Sequence, residues 1–107
     1  MSNKQQSIRE IINLKFFMTL FDPVRFELVE HLSDGKEQSI NEIAKNFPQD
    51  RSVISRHLEQ MYKQKLLIKE KKSKYIFYTL DCEFITQQVE MASKTLRRLM
   101  DEHQEEE

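Results

Sequence analysis

Glycine is almost absent from this chain, which has one glycine, two prolines and one cysteine in 107 residues. That scarcity excludes collagen-like and low-complexity chains. With 38% hydrophobic and 33% charged residues, the balance is that of a helix-rich globular protein. The single cysteine, Cys82, cannot close a disulfide within the chain. No apolar run follows the opening MSNKQQSIRE, so no secretory signal is read, and the expected location is the cytoplasm. No stretch is long and apolar enough to span a bilayer, which removes the membrane as an expected partner. A domain of this size buries only roughly two thirds of its unfolded surface, so self-association would add useful burial.

The formal net charge of -1 conceals a division along the chain. Between residues 51 and 78, Arg51, Arg56, Lys63, Lys65, Lys69, Lys71, Lys72 and Lys74 face only Glu59 and Glu70, a surplus of six positive charges. From 81 to 107, three cations meet eight carboxylates. A basic segment beside an acidic end attracts a polyanion locally while the whole chain stays near neutral.

The apolar periodicity gives the order of elements. Ile8, Ile11, Ile12, Leu14, Phe17, Met18 and Phe21 recur at spacings of three and four, predicting an amphipathic helix over about 5–21. Asp22 and Pro23 open a second helix with Phe26, Leu28, Val29 and Leu32, closed near Asp34-Gly35. Ser39 and Glu42 form a Ser-x-x-Glu capping box for a short helix bearing Ile40, Ile43, Ala44 and Phe47, stopped by Pro48. Asp50 is expected to cap a helix from about Arg51 to Lys65, with Ile54, Leu58, Met61 and Tyr62 toward the core. Two β-rich runs over about 67–80, parted by Lys72-Ser73-Lys74, read as a hairpin. Asp81 then opens a last helix, about 81–103, in which Ile85, Val89, Ala92, Leu96 and Leu99 keep a heptad-like rhythm beside Phe84.

This order predicts a mainly α fold with a small β-hairpin: one winged helix-turn-helix domain over 1–107, with an additional helix at each end for dimerisation. The second helix of such a motif enters the major groove with its N-terminal half. Here that half carries Arg51, Ser52, Val53, Ser55 and Arg56. Arginine can grip guanine bidentately and serine can bond a base edge or a phosphate. The hairpin adds Lys69, Lys71, Lys72 and Lys74, expected to be free to meet phosphates. The helices at the two ends supply apolar faces through Ile8, Ile11, Ile12, Phe84, Ile85, Val89, Ala92, Leu96 and Leu99, more than a small central core can bury. The expected partners are double-stranded DNA and a second copy of the chain.

Three segments carry a family resemblance over roughly residues 15 to 100. Asp22-Pro23-Val24-Arg25, Ile54-Ser55-Arg56-His57-Leu58, and Leu66-Leu67-Ile68 with Tyr75-Ile76-Phe77-Tyr78-Thr79-Leu80-Asp81 resemble the opening, recognition helix and wing of the arsenic-repressor (ArsR/SmtB) family. The resemblance implies a homodimeric repressor whose terminal helices pack across a two-fold axis and which an effector releases from DNA. It does not extend to the family's metal patterns. Ser39 and Asn41 stand where Cys-x-Cys would supply thiolates, and Asp81, Glu83, Lys94 and Arg97 stand where Asp-x-His and His-x-x-Glu would lie. No metal or other cofactor is therefore expected at those positions, and a small molecule or the protein's own level is the expected control.

Asp101 and His103 near the acidic end, and Cys82 between Asp81 and Glu83, are read as solvated or inert groups. His57 is read as a helix-face residue near DNA and His31 as a packed or rim residue. Neither has a nucleophile placed beside it by spacing, so no catalytic residue and no enzyme is expected. Two alternatives stand beside the DNA-binding reading: a winged-helix module that binds only proteins, and a metal-responsive repressor with a site foreign to the family.

Overall fold

The computed structural model describes residues 11–106. Two compact units divide the chain: Lys15–Cys82, and the described residues before Lys15 together with those from Glu83 onward. In the first unit the elements run α1 (Leu14–Leu20), α2 (Pro23–His31), β1 (Gln38–Ser39), α3 (Ile40–Ala44), α4 (Arg51–Lys63), β2 (Leu67–Lys72) and β3 (Tyr75–Leu80). The helix α5 (Cys82–Glu106) follows. The three strands form an antiparallel sheet in the order β1-β3-β2, so the fold is a winged helix-turn-helix.

The first helix is not continuous as its periodicity predicted. Ile12 is a bend and Asn13 is unassigned, and α1 starts at Leu14. Asn13 stands just before the first helical residue, a place asparagine favours. Ile8 lies outside the described residues. The start of α2 follows the sequence: Asp22 accepts the Arg25 backbone N–H at 3.1 Å and Pro23 occupies the first helical position. The helix closes at Leu32, and Gly35 follows with φ +79°, the left-handed conformation for which glycine suits the position.

The capping box of α3 forms in both directions. Ser39 Oγ accepts the Glu42 N–H at 3.3 Å, and Glu42 Oε1 accepts the Ser39 N–H at 3.1 Å. Those two bonds, first from the Ser39 backbone and then from its side chain, hold the Glu42 carboxyl below its ordinary range. The helix ends well before Pro48, and Phe47 lies beyond it, half-buried. β1 has two residues, too short for any alternation to announce it. Ser39 pairs with Phe77, which stitches the start of α3 to the hairpin.

The core of the Lys15–Cys82 unit is built from one row of each helix and the inner face of the hairpin. Phe16, Leu28, Leu32, Ile43, Ile54, Leu58, Met61 and Leu66 are fully buried, with Leu20, Leu67, Tyr78 and Leu80 nearly so. Tyr62, expected in the core, is 41% exposed. It lies one residue past Met61, and the 100° step carries it out of the buried row. α4 ends at Lys63, two residues earlier than read. Lys65 adopts φ +65°, its N–H donating to Tyr62 O at 3.0 Å while the Leu66 N–H donates to Met61 O at 2.9 Å. This is a Schellman closure made without glycine.

α5, about 37 Å long at 1.5 Å per residue, is amphipathic but sparsely covered. Thr95 is its only buried residue among those described, its hydroxyl donating to Met91 O at 2.8 Å. With Ile11, Met91, Lys94 and Arg98 it lines a shallow pocket of about 300 Å³. The neighbouring heptad-like row remains half open: Ile85, Ala92 and Leu99 are half-buried, while Val89 and Leu96 are exposed. Among the described residues no helix is long and apolar enough to cross a membrane.

Candidate nucleic-acid interface

Helix-turn-helix geometry requires that α4 be held rigidly with one face free. Its buried row, Ile54, Leu58 and Met61, docks on α2, α3 and β2. A polar strut adds to this packing. Arg25 donates from Nε to Thr19 O at 2.9 Å, closing the end of α1, and its Nη1 lies 3.4 Å from His57 Nδ1. Arginine has no acceptor, so His57 Nδ1 accepts the hydrogen bond and the imidazole N–H sits on Nε2. His57 is thus half-buried and engaged with α2, a positioning role that differs from the DNA-facing one read from the sequence. His31 behaves as expected, with Nε2 at 2.9 Å from Gln38 Oε1 and its ring edge-on to Phe47.

The free face of α4 presents Arg51, Ser52 and Arg56 as exposed residues, with Val53 and Ser55 half-buried beside them. Asp50 stands at the N-cap position but makes no side-chain capping bond. Arg51 is not wholly free, because its Nε donates to Asn41 Oδ1 on α3. Arg56 has no acidic partner among the described residues. This face, with no carboxylate in the first half of the helix, remains available to a ligand.

The wing sorts its lysines by strand parity. Leu67, Lys69 and Lys71 share one face of β2, with Ile68, Glu70 and Lys72 on the other. Since Leu67 is buried, Lys69 is directed inward as well: its Nζ lies 3.2 Å from Glu59 Oε2 on α4 and 4.8 Å from the centre of the Tyr62 ring. Burial, the largest single influence, would lower the Lys69 pKa, but the Glu59 hydrogen bond together with the charge interactions with Tyr78, Glu59 and Tyr62 outweighs it and the net shift is upward. On the opposite face Lys72 donates to Glu37 Oε1 at 2.6 Å, and that bond raises its pKa. Two of the four lysines expected to be free therefore have carboxylate partners. Lys71 and Lys74 remain exposed at the tip. The tip is a two-residue loop, Ser73-Lys74, between paired Lys72 and Tyr75, with φ +58° at Ser73. Positive φ at the first loop residue alone is the φ signature of a type II′ hairpin turn.

Between α3, the start of α4 and the wing lies a pocket of about 170 Å³ lined by Ser39, Ile40, Asn41, Arg51, Lys74, Tyr75 and Ile76. Sequence reasoning missed Asn41 and Tyr75 as members of this surface, because only the β1–β3 pairing brings residues 39–41 beside residues 75–76. Asp101 and His103, by contrast, are exposed on α5. Among the described residues no group of three or more His, Cys, Asp and Glu converges in a way that could hold a metal ion.

Against known proteins, residues 22–69 match the model of the bacterial regulatory protein family arsR, a span from the cap of α2 into the wing. No curated protein sequence matches the chain. Several solved structures do. One, described as a possible transcriptional regulator for arsenical resistance, is 29% identical, covering 82% of this chain and 95% of its own, with a TM-score of 0.67. An ArsR-like transcriptional regulator from Rhodococcus sp. RHA1 is 22% identical, with 99% and 89% covered and a TM-score of 0.70. The transcriptional repressor BigR from Xylella fastidiosa is 23% identical, with 91% and 92% covered and a TM-score of 0.60. The last two likenesses concern the fold. With a family match over the helix-turn-helix, a winged architecture around it and a cation-bearing recognition helix, this chain is similar across residues 22–69 to the arsR family of bacterial regulatory proteins, a likeness that supports a DNA-binding transcriptional regulator.

Proposed function

We propose that the chain is a homodimeric repressor that acts in the cytoplasm as one functional domain over 1–107. α4 enters the major groove of operator DNA and contacts the DNA through Arg51, Ser52, Val53, Ser55 and Arg56, and the wing holds the flanking backbone. The single observation that carries this reading is the pairing of two open cationic surfaces: Arg56 on the exposed face of α4, and Lys71 with Lys74 at the wing tip, all exposed. Lys69 and Lys72 contribute less to DNA than their positions in the sequence imply, since Glu59 and Glu37 compete for them. The dimer contact is assigned to the segment ahead of α1, through Ile11 and Ile12, and to α5, through Phe84, Ile85, Val89, Ala92, Leu96 and Leu99. Support comes from the apolar surface left open on α5. Release from DNA is assigned to a small-molecule effector or to the level of the protein itself.

The test is fluorescence anisotropy on a random duplex and on the genomic fragments that the purified protein retains, each at two salt concentrations. Arg56→Ala is expected to erode the preference for the retained fragments by about 1–3 kcal/mol, the value of a bidentate base contact. Lys71→Ala should weaken both duplexes alike and lower the salt slope by roughly one unit. A wild-type protein that binds neither duplex in a salt-dependent way would shift the reading to a protein-interaction module.

A further inference from the structure

Arg51 stands at the start of the recognition helix, where a base-reading role is the default, but its surroundings differ from those of Arg56. Its Nε is committed to Asn41 Oδ1, so the guanidinium is fixed against α3 and its two Nη groups remain to donate. Because an arginine donor must meet the amide oxygen, Asn41 turns its NH₂ away as a further donor. Ser39 Oγ accepts from Glu42 N–H, which leaves its own hydrogen free to rotate outward. Lys74, 5.8 Å from the centre of the Tyr75 ring, supplies an ammonium from the wing. All of these groups line the 170 Å³ pocket, and no carboxylate does.

A concave site with two cations, donors from an amide and a hydroxyl, and no negative charge selects an oxyanion. Its place decides which one. With α4 in the major groove and the wing over the neighbouring strand, the sugar-phosphate backbone that separates the two grooves passes between them. The pocket lies between those same two elements. We infer that Ser39, Asn41, Arg51 and Lys74 form a clamp for one phosphodiester of bound DNA, so that Arg51 sets the register of the recognition helix and leaves base reading to Arg56 and the serines. The inference rests on the DNA-binding reading above and deepens it.

The experiment uses the full-length chain on the retained genomic duplex and on random duplex, with phosphate-ethylation interference on the former. Arg51→Ala should cost about tenfold on both duplexes alike, as expected for a lost charge-assisted hydrogen bond, lower the salt slope by about 0.9, and abolish interference at one phosphate per half-site. Asn41→Ala, which changes no charge, should weaken both duplexes and leave the slope unchanged. Arg51→Lys should do the same, because charge is kept while the fork is lost. Thermal melts of all three should match the wild type. Loss confined to the retained duplex on Arg51→Ala, with every phosphate interference intact, would make Arg51 a base reader and overturn the clamp while the regulator reading stands. Inorganic phosphate titrated by ³¹P NMR gives the other decisive arm: saturable binding lost in Arg51→Ala, with DNA affinity unaltered by that substitution, would assign the pocket to a free oxyanion and equally overturn the clamp. Absence of any salt-dependent DNA binding by the wild type would instead defeat the underlying reading.

Discussion

The two units of this chain are built from helices with the same kind of apolar row but complete it differently. In α4 the row Ile54, Leu58, Met61 is fully buried within the protomer. In α5 the row Ile85, Val89, Ala92, Leu96, Leu99 is left half open, with Leu96 53% exposed. Among the described residues, every buried hydrophobic side chain belongs to Lys15–Cys82. Amphipathic periodicity states that a face needs burial; it does not state whether the same chain or a second one supplies it. One row supports folding, and the other is assigned to association.

The strongest way to break that distinction is to remove one side chain from each row. Leu58→Ala leaves a cavity at the centre of the helical core and is expected to cost about 2–5 kcal/mol, read as a fall in the urea midpoint at fixed protein concentration with the slope unchanged. Leu96→Ala, exposed in the protomer, should leave the midpoint of monomeric protein where it was. Equal losses from the two substitutions in monomer would show that α5 is folded into the same core.

Leu96→Asp should act on association. It sets a carboxylate into the proposed seam, where its desolvation is uncompensated, so the dimer should weaken by at least tenfold, about 1.4 kcal/mol. Sedimentation velocity at micromolar concentration should then show monomers of unchanged helicity. A wild-type protein already monomeric under those conditions would remove the dimer from the proposal altogether.

Much of this architecture is visible in the sequence because local chemistry and periodicity agree there. Asp22-Pro23, the Ser39/Glu42 box and the stripe through Leu58 each specify one conformation, and each forms. One departure is local: the 100° step past Met61 carries Tyr62 out of the buried row. The others share a cause, which is that the deciding neighbour is remote in sequence: His57 turns to Arg25, thirty-two residues earlier. Lys69 was legible in principle: the parity that buries Leu67 directs it inward, but its Glu59 partner sits on another element. β1 has no such signal, since a pair of residues becomes a strand only when β3 lies alongside it. The phosphate clamp depends on that same pairing, which is why Arg51 could be named from the sequence and Asn41 could not.

The smallest expected effect compares two helix ends inside the better-packed unit. After α2 the left-handed residue is Gly35, with φ +79°; after α4 it is Lys65, with φ +65°. A side chain in that conformation costs roughly 1–2 kcal/mol, whereas glycine avoids the steric cost and loses about 0.5–1 kcal/mol through the freedom of its unfolded state. Lys65→Gly should therefore stabilise by about 0.5–1 kcal/mol, raising the melting temperature by a few degrees in a domain of this size. Gly35→Ala should move it the other way. An added Cβ at Gly35 meets nothing within 4 Å, so its penalty is conformational and not steric, and the two substitutions measure one backbone term with opposite signs. Differential scanning calorimetry of both variants and their combination decides it. If Lys65→Gly lowers the melting temperature, the lysine side chain contributes more to the end of the recognition helix than its backbone strain removes.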